Sequence, residues 1–186
     1  MRDFIAKVLS NRDHFLYETL SYQDVAKIQE CVMDSLGLTN INELRDRFDG
    51  VTFIDKFSLK ISGVIALEKK LKIELINWEK ISPKNYLPKV TIAGKKVDVI
   101  MSEYGEFPVI EKVNRKPAII IIKKDNKDIW ICGYADTKTL NENQDIKFLK
   151  GEMMKDYDSK TTFVGYNKLK PFKTFEELEQ LVKQIN

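Results

Sequence analysis

The chain has 186 residues, of which 43% are hydrophobic and 32% are charged, and its formal net charge at pH 7 is +3. This length predicts one principal hydrophobic core rather than two independent domains, and the composition excludes wholesale disorder. Because no apolar run approaches the roughly 18 residues of a membrane-spanning helix and the N-terminus lacks a secretory leader, we expect a cytoplasmic protein with no membrane partner.

The first 50 residues are predicted to form a helical lobe, and residues 51–186 are predicted to form an α/β core. Ser21 and Asp24 have the spacing of an N-terminal helix cap, and an apolar repeat of helical period follows them. Asn40 predicts the start of a second, short helix that runs to Phe48. We expect both helices to pack against the α/β core.

A longer helix is predicted from Phe57 to Leu71. Its apolar residues recur at helical spacing and share one face, and Glu68 falls inside that face. A short strand from Lys72 to Trp78 is expected next, followed by an irregular stretch through two prolines.

The second half of the chain is predicted to form a sheet. Val90–Ile92 and Lys96–Met101 flank an Ala93-Gly94 turn, as in a hairpin. The continuous apolar run Ala118–Ile122 suits a strand buried on both faces, and Ile129–Tyr134 predicts the next strand.

The remaining segments predict two helices and one more strand. Thr137–Leu140 is expected to begin a short helix, residues 141–160 a surface loop, and Thr162–Tyr166 a strand. A T-x-x-E capping box at Thr174 starts a final helix that extends to Ile185. The fold class is therefore α/β (α+β), with a mixed central sheet flanked by helices.

Cysteine and histidine point to no redox or zinc chemistry. Cys31 and Cys132 fall in apolar segments, which favours small buried thiols over a disulfide. His14 is the only histidine, so the spacing of a zinc site is absent.

Two carboxylates stand out as candidates for a metal site. Glu68 lies on an apolar helix face, and Asp98 shares one side of its strand with Ile100. A buried carboxylate must be neutral, paired or bound to a cation, and Mg²⁺ commonly takes one or two protein carboxylates. The structural alternatives are a Glu68 that pairs with Lys72 one turn later, and an Asp98 that faces solvent on an edge strand.

The order of these elements resembles the PD-(D/E)XK nuclease superfamily, which has the restriction-endonuclease-like fold. A helix bears Glu68, a hairpin bears Asp98, and apolar strands and a closing helix follow; the segments AIIIIKKDNKDIWICGYADTKTL and TTFVGYNKLKPF also resemble the last strands of such enzymes. The resemblance covers roughly residues 57–175. It implies that Glu68 and Asp98 bind a catalytic Mg²⁺.

The sequence departs from the family motif, which places an acid, any residue and a lysine on the strand after the Asp. Ile121 stands where the acid would precede Lys123, and the pair Glu111-Lys112 lacks the spacer residue. The catalytic set implied by the resemblance is therefore Glu68 and Asp98, with Glu111 (or Glu106) as a further ligand and Lys112 or Lys123 as the lysine that stabilises the charged transition state.

Basic residues are unevenly distributed. Residues 1–50 carry 6 Lys and Arg against 9 Asp and Glu, so the positive excess lies in the remainder. The basic residues nearest the central strands are the predicted nucleic-acid contacts, although solvated surface lysines would give the same pattern: Lys112, Arg115, Lys116, Lys123 and Lys124. Four aromatic residues could stack on bases or belong to the core: Trp78, Trp130, Tyr134 and Tyr166.

The sequence leaves three functions open. The first is metal-dependent phosphodiester hydrolysis of DNA with Mg²⁺ as cofactor, by an enzyme that would work as a homodimer. The second is a catalytically inactive nuclease-like fold that serves as a nucleic-acid-binding or protein-interaction module. The third is a scaffold or assembly protein with no nucleic-acid role, which would scatter its basic residues over all faces. The distance between the two carboxylates and the nearest lysine amine separates these functions.

Overall fold

The structure is a computed structural model, and it describes residues 1–47, 50–150 and 158–184. The helices are α1 (Arg2–Lys7), α2 (Tyr22–Leu36), α3 (Ile41–Asp46), α4 (Gly50–Leu71), α5 (Thr137–Glu142) and α6 (Phe175–Lys183). The strands are β1 (Leu16–Thr19), β2 (Lys89–Ile92), β3 (Lys95–Glu103), β4 (Val109–Glu111), β5 (Ala118–Lys123), β6 (Asp128–Ala135) and β7 (Lys160–Thr162). No helix of these described residues is both long enough and apolar enough to cross a membrane.

Five strands form a mixed central sheet in the order β1-β6-β5-β3-β2. Strands β3 and β5 run parallel, and the other neighbours are antiparallel. Strands β4 and β7 form a separate two-stranded sheet. The predicted mixed α/β class is confirmed.

The central sheet has a hydrophobic core on each face. Helix α4 packs on one face, and its buried residues share a core with Val97, Val99 and Ile119. The opposite face carries a second core that includes Phe4, Ile120 and Ile122. Successive isoleucines of β5 therefore point into different cores, which explains the uninterrupted apolar run of that strand.

Residues 1–50 are not purely helical. The Ser21 cap of α2 forms as predicted, with reciprocal bonds between Ser21 and Asp24, and the Asn40 cap starts α3. However, Leu16–Thr19 form β1, an edge strand of the central sheet that pairs with β6. The buried residues of α2 and α3 belong to the same core as α4, and Phe48, the predicted end of the second helix, lies outside the described residues.

The predicted strand from Lys72 to Trp78 is wrong. Lys72 adopts the left-handed conformation with φ 54°, and the N–H of Ile73 donates to the carbonyl of Glu68, so α4 ends in a Schellman motif. Residues 73–77 have no regular secondary structure. Ile76 is buried and Ile73 and Leu75 are half-buried, although the backbone is irregular. The apolar pattern of the sequence alone cannot distinguish this arrangement from a strand.

The later predictions are largely confirmed. The β2–β3 hairpin turns at Ala93 and Gly94, which both have positive φ, and β5, β6 and α5 form where expected. Strand β7 ends at Thr162, and Tyr166 starts a 3₁₀ helix instead of ending a strand. The Thr174 cap starts α6, whereas Ile185 and part of the predicted 141–160 loop lie outside the described residues.

Candidate functional site

Glu68 stabilises the chain that follows its own helix. Its Oε1 atom accepts hydrogen bonds from the backbone N–H groups of Leu75 and Ile76, both at 2.6 Å. Burial, with the nearby Glu68 carboxylate adding to it, raises the pKa of the Tyr86 phenol. The Glu68 carboxylate is thus bound to backbone donors and lies on the α4 side of the sheet.

Asp98 lies on the other side of the sheet. Its neighbours Val97 and Val99 point into the α4 core, while its partner on β5, Ala118, belongs to the opposite core. The Oδ1 atom of Asp98 is buried and accepts no hydrogen bond from the part of the chain that the structure describes. The predicted alternation along β3 is therefore correct, and it turns Asp98 away from α4.

Because Glu68 and Asp98 point to opposite faces of the central sheet, the structure does not bring them together. One metal ion cannot bind both side chains at the 2.0–2.1 Å that Mg²⁺ requires. Within residues 1–47, 50–150 and 158–184, no group of three acidic, histidine or cysteine side chains has the geometry of a metal site. The residues of the predicted Mg²⁺ site do not fit the ion.

Glu111 belongs to the small second sheet, and Lys112 follows it directly. Glu111 ends β4 and forms an ion pair with Lys160 of β7, and the N–H of Lys112 donates to the carbonyl of Ser159. Glu111 is thus neutralised by a residue that the sequence did not connect with it. Glu106, the alternative ligand, lies in the loop between β3 and β4, and its N–H donates to the carbonyl of Glu103.

The predicted basic cluster separates into two groups. Arg115 and Lys116 precede β5, while Lys123 ends it and Lys124 follows. The six residues of β5 span about 20 Å at ~3.3 Å per residue. Lys123 lies 3.5 Å from the hydroxyl of Ser58 on α4, and Lys124 pairs with Asp128.

Arg115 and Lys116 have basic neighbours that the sequence analysis missed. Lys89 is the direct partner of Asp98 on β2, so its side chain shares the Asp98 face, and Lys96 lies on that face two residues before Asp98. Asp98 N–H donates to the carbonyl of Pro117, which brings Lys116 to the same end of the sheet. We call this group the hairpin-end basic patch: Lys89, Lys96, Arg115 and Lys116.

The hairpin-end basic patch is accessible, and its four side chains form no ion pair within the described residues. Lys89, Lys96 and Arg115 are exposed and Lys116 is half-buried. Among the described residues, no ion pair joins any of the four to a carboxylate, and Asp98 forms none either. These residues come together only through the register of β3 against β5, which the sequence alone does not give.

Most of the aromatic candidates are core residues. Trp130, Tyr134 and Tyr166 are buried, and burial raises the pKa of the Tyr134 phenol to about 12, with Asp136 adding to the shift. Trp78 is half-buried and has the amine of Lys27 4.6 Å from its ring centre. None of the four offers an open ring face beside the hairpin-end basic patch.

Cys132 and His14 line one small cavity of about 250 Å³. Cys132 is buried, and burial raises the pKa of its thiol well above the usual value, so the thiol stays protonated at neutral pH. Cys31 is half-buried and its pKa is likewise raised by burial. Both cysteines are free thiols, as expected.

No protein-family model matches this sequence, and no curated protein or solved structure is significantly similar to it.

Proposed function

We propose that this chain is a nucleic-acid-binding module that does not cleave its ligand. The hairpin-end basic patch would contact phosphate groups of the backbone. Four basic side chains at one end of a sheet, none of them paired with a carboxylate, are the observation that carries this proposal. Such contacts supply affinity that is independent of base sequence, because binding releases counterions from the nucleic acid.

The proposal uses the resemblance to PD-(D/E)XK nucleases for the fold and not for the chemistry. Helix α4, the β2–β3 hairpin, strands β5 and β6 and the closing helix α6 follow one another in the order that suggested it. The chemistry of that family is not part of the proposal, since Glu68 holds backbone amides on one face of the sheet and Asp98 lies on the other. We therefore derive no hydrolytic step through Mg²⁺.

The first test is a fluorescence anisotropy titration of single- and double-stranded 20-mer DNA and single-stranded RNA. The patch variant replaces Lys89, Lys96, Arg115 and Lys116 by Gln. A matched control replaces four exposed lysines on other elements: Lys138, Lys168, Lys173 and Lys183. The control removes the same charge, so it separates the patch from net charge.

We expect the patch variant to lose at least about tenfold in affinity while the control stays close to wild type. The slope of log affinity against log salt should fall by about 3 to 4 in the patch variant, near one unit per lost phosphate contact. Equal binding by the two variants would overturn the proposal, as would the absence of binding by the wild type at 50 mM salt.

A substitution at Asp98 distinguishes nucleic-acid binding from cleavage. Asp98→Asn removes the negative charge at the centre of the patch, so we expect tighter binding and no change in plasmid integrity. Nicking of supercoiled plasmid by wild type in Mg²⁺ or Mn²⁺, lost in Asp98→Asn and Glu68→Gln, would overturn the proposal and establish the nuclease.

A further inference from the structure

Strand β3 extends well beyond its partner β2. The ladder pairs Lys95–Asp98 with β2, and one more bond joins the N–H of Val99 to the carbonyl of Pro88 at 2.8 Å. Before Pro88 the chain leaves the sheet, and Tyr86 packs against Phe57 of α4 instead. Among the described residues, no strand lies beside the C-terminal part of β3, from Ile100 to Glu103, on this edge.

The backbone of this free edge has unpaired hydrogen-bonding groups. The N–H groups of Asp98 and Tyr104 point to β5, whereas that of Val99 points to the β2 side. By the same alternation, the N–H and C=O of Met101 and the N–H of Glu103 point away from β5. No hydrogen bond of the described residues engages these three groups.

The free edge forms the floor of a groove of about 380 Å³. One wall is the first half of α4, with Lys56, Leu59 and Lys60, and the other is the segment Glu106–Val109. Gly63 of α4 lets this helix pack directly on Met101, because a Cβ at position 63 would overlap the Met101 sulfur. The groove is therefore bounded by a helix on one side and by Phe107 on the other.

The dimensions of the groove suit one extended chain. From Val99 to Glu103 the strand covers about 13 Å, enough for a peptide of roughly four residues. Because both walls rise beside the edge, a single strand fits between them. A second copy of this chain would have to place its own α4 and Glu106–Val109 segment in the same space.

The charges of the α4 wall indicate the side chains that would fit. Lys56 and Lys60 are exposed one helical turn apart, and Lys56 forms no ion pair or hydrogen bond within the described residues. On the other wall Phe107 and Val109 are apolar, whereas Glu106 at its start is an exposed acid. Alternate side chains of a strand in the groove would face these two walls in turn.

We propose that this groove binds an extended peptide of a partner protein by strand addition to the free edge of β3. The peptide donates to the carbonyl of Met101 and accepts from the N–H groups of Met101 and Glu103. Its side chains towards α4 are acidic and pair with Lys56 and Lys60, and those towards Phe107 are apolar. Main-chain bonds supply affinity in this mode, and side chains supply selectivity.

The probe is a fluorescein-labelled hexapeptide of alternating glutamate and valine. Its binding is measured by fluorescence anisotropy and by the amide signals of the protein in NMR. We expect saturable binding and slower hydrogen exchange at the Met101 and Glu103 amides. The same peptide with a methyl group on every backbone nitrogen keeps every side chain but cannot pair on that edge in either strand direction, so it should not bind. Equal binding of both peptides would overturn strand addition.

Two variants test the site itself. Glu103→Pro removes only an outward N–H at an exposed residue, so the sheet should survive while peptide affinity falls. The double variant Lys56→Glu, Lys60→Glu should bind the glutamate peptide about three- to fivefold more weakly per lysine. It should bind a lysine–valine peptide more tightly instead. Circular dichroism of both variants checks that they are folded.

Sedimentation equilibrium of the free chain measures whether a second copy, instead of a peptide, pairs with the edge of β3. A dimer that becomes a monomer in Glu103→Pro would overturn the peptide proposal in favour of self-pairing. A monomer that binds the glutamate peptide, and loses it in both variants, supports the proposal.

Discussion

The Oε1 atom of Glu68 lies 2.6 Å from the backbone nitrogen of Ile76, and the same oxygen accepts from Leu75. This relationship explains why an acid stands in the apolar stripe of α4. Residues 73–77 leave the helix without regular structure, so their amides need acceptors, and one carboxylate supplies two of them. A side chain that resembled a metal ligand in the sequence is a local cap.

Removal of the Glu68 carboxylate should destabilise the fold. Glu68→Ala leaves two partly buried amides without an acceptor, so we expect the free energy of unfolding to fall by about 2–3 kcal/mol. Glu68→Gln keeps one carbonyl oxygen and should lose less. Urea denaturation measures both, with the exposed Glu74→Ala as the control. A Glu68→Ala protein as stable as that control would contradict the cap.

The left-handed residue at the end of α4 offers a stabilising substitution. Lys72 is exposed and has φ 54°, a conformation that glycine adopts without steric cost. Lys72→Gly should raise the free energy of unfolding by about 1 kcal/mol. Lys56→Gly, at an exposed position inside the same helix, should lower it by about 1 kcal/mol. Two changes of the same sign would show that the conformation of residue 72 is not the cause.

The buried oxygen of Asp98 predicts a gain in stability when that residue is replaced. Asp98→Val removes an unsatisfied acceptor and adds a β-branched side chain to a strand, so we expect the free energy of unfolding to rise by about 1 kcal/mol. Asp128 is the control, because it accepts from the hydroxyl of Thr19 at 2.8 Å. Asp128→Val should destabilise. Destabilisation by Asp98→Val would instead reveal a partner of that carboxylate.

The contact between Gly63 and Met101 should behave as a coupled pair. Gly63→Ala places a methyl group where the Met101 sulfur lies, and the resulting overpacking should cost about 1–3 kcal/mol. In a Met101→Ala background the added methyl has room, so the cost should largely disappear. A double-mutant cycle by chemical denaturation measures this coupling, and additive effects would contradict it.

Acid should weaken the contact between α2 and α4 through Asp24. Burial tends to raise the pKa of Asp24, but hydrogen bonds from Lys69 and Ser21 outweigh it, so the pKa lies below the usual value of an aspartate. Stability from this group is complete above the unfolded pKa and is lost as the pH falls through the lower folded value. Asp24→Asn should therefore flatten the stability profile below about pH 4, and the exposed Glu30→Gln on the same helix is the control. Parallel profiles for wild type and Asp24→Asn would contradict this.

Local signals in the sequence predicted much of the fold. The Ser21 and Thr174 caps, the turn at Ala93 and the apolar run of β5 each depend on residues close in sequence, and each formed as expected. Strand β1 was missed because four residues with little alternation become a strand only when β6 pairs with them.

The candidate site could not be predicted to the same extent. Alternation along β3 correctly separated Asp98 from Val97 and Val99, yet it could not show which face α4 would cover. That choice depends on tertiary packing, and it decides whether Glu68 and Asp98 meet. The grouping of Lys89 with Lys116 likewise depends on the register of strands that are not adjacent in sequence.

The pairing of β1 with β6 also sets an order of events during synthesis. Thr19 bonds to Asp128, which the ribosome adds 109 residues later. At about 5–20 residues per second, the N-terminal strand waits for several seconds before its partner has emerged. A nascent chain that stops before residue 128 therefore carries Leu16–Thr19 without the strand partner that β6 provides.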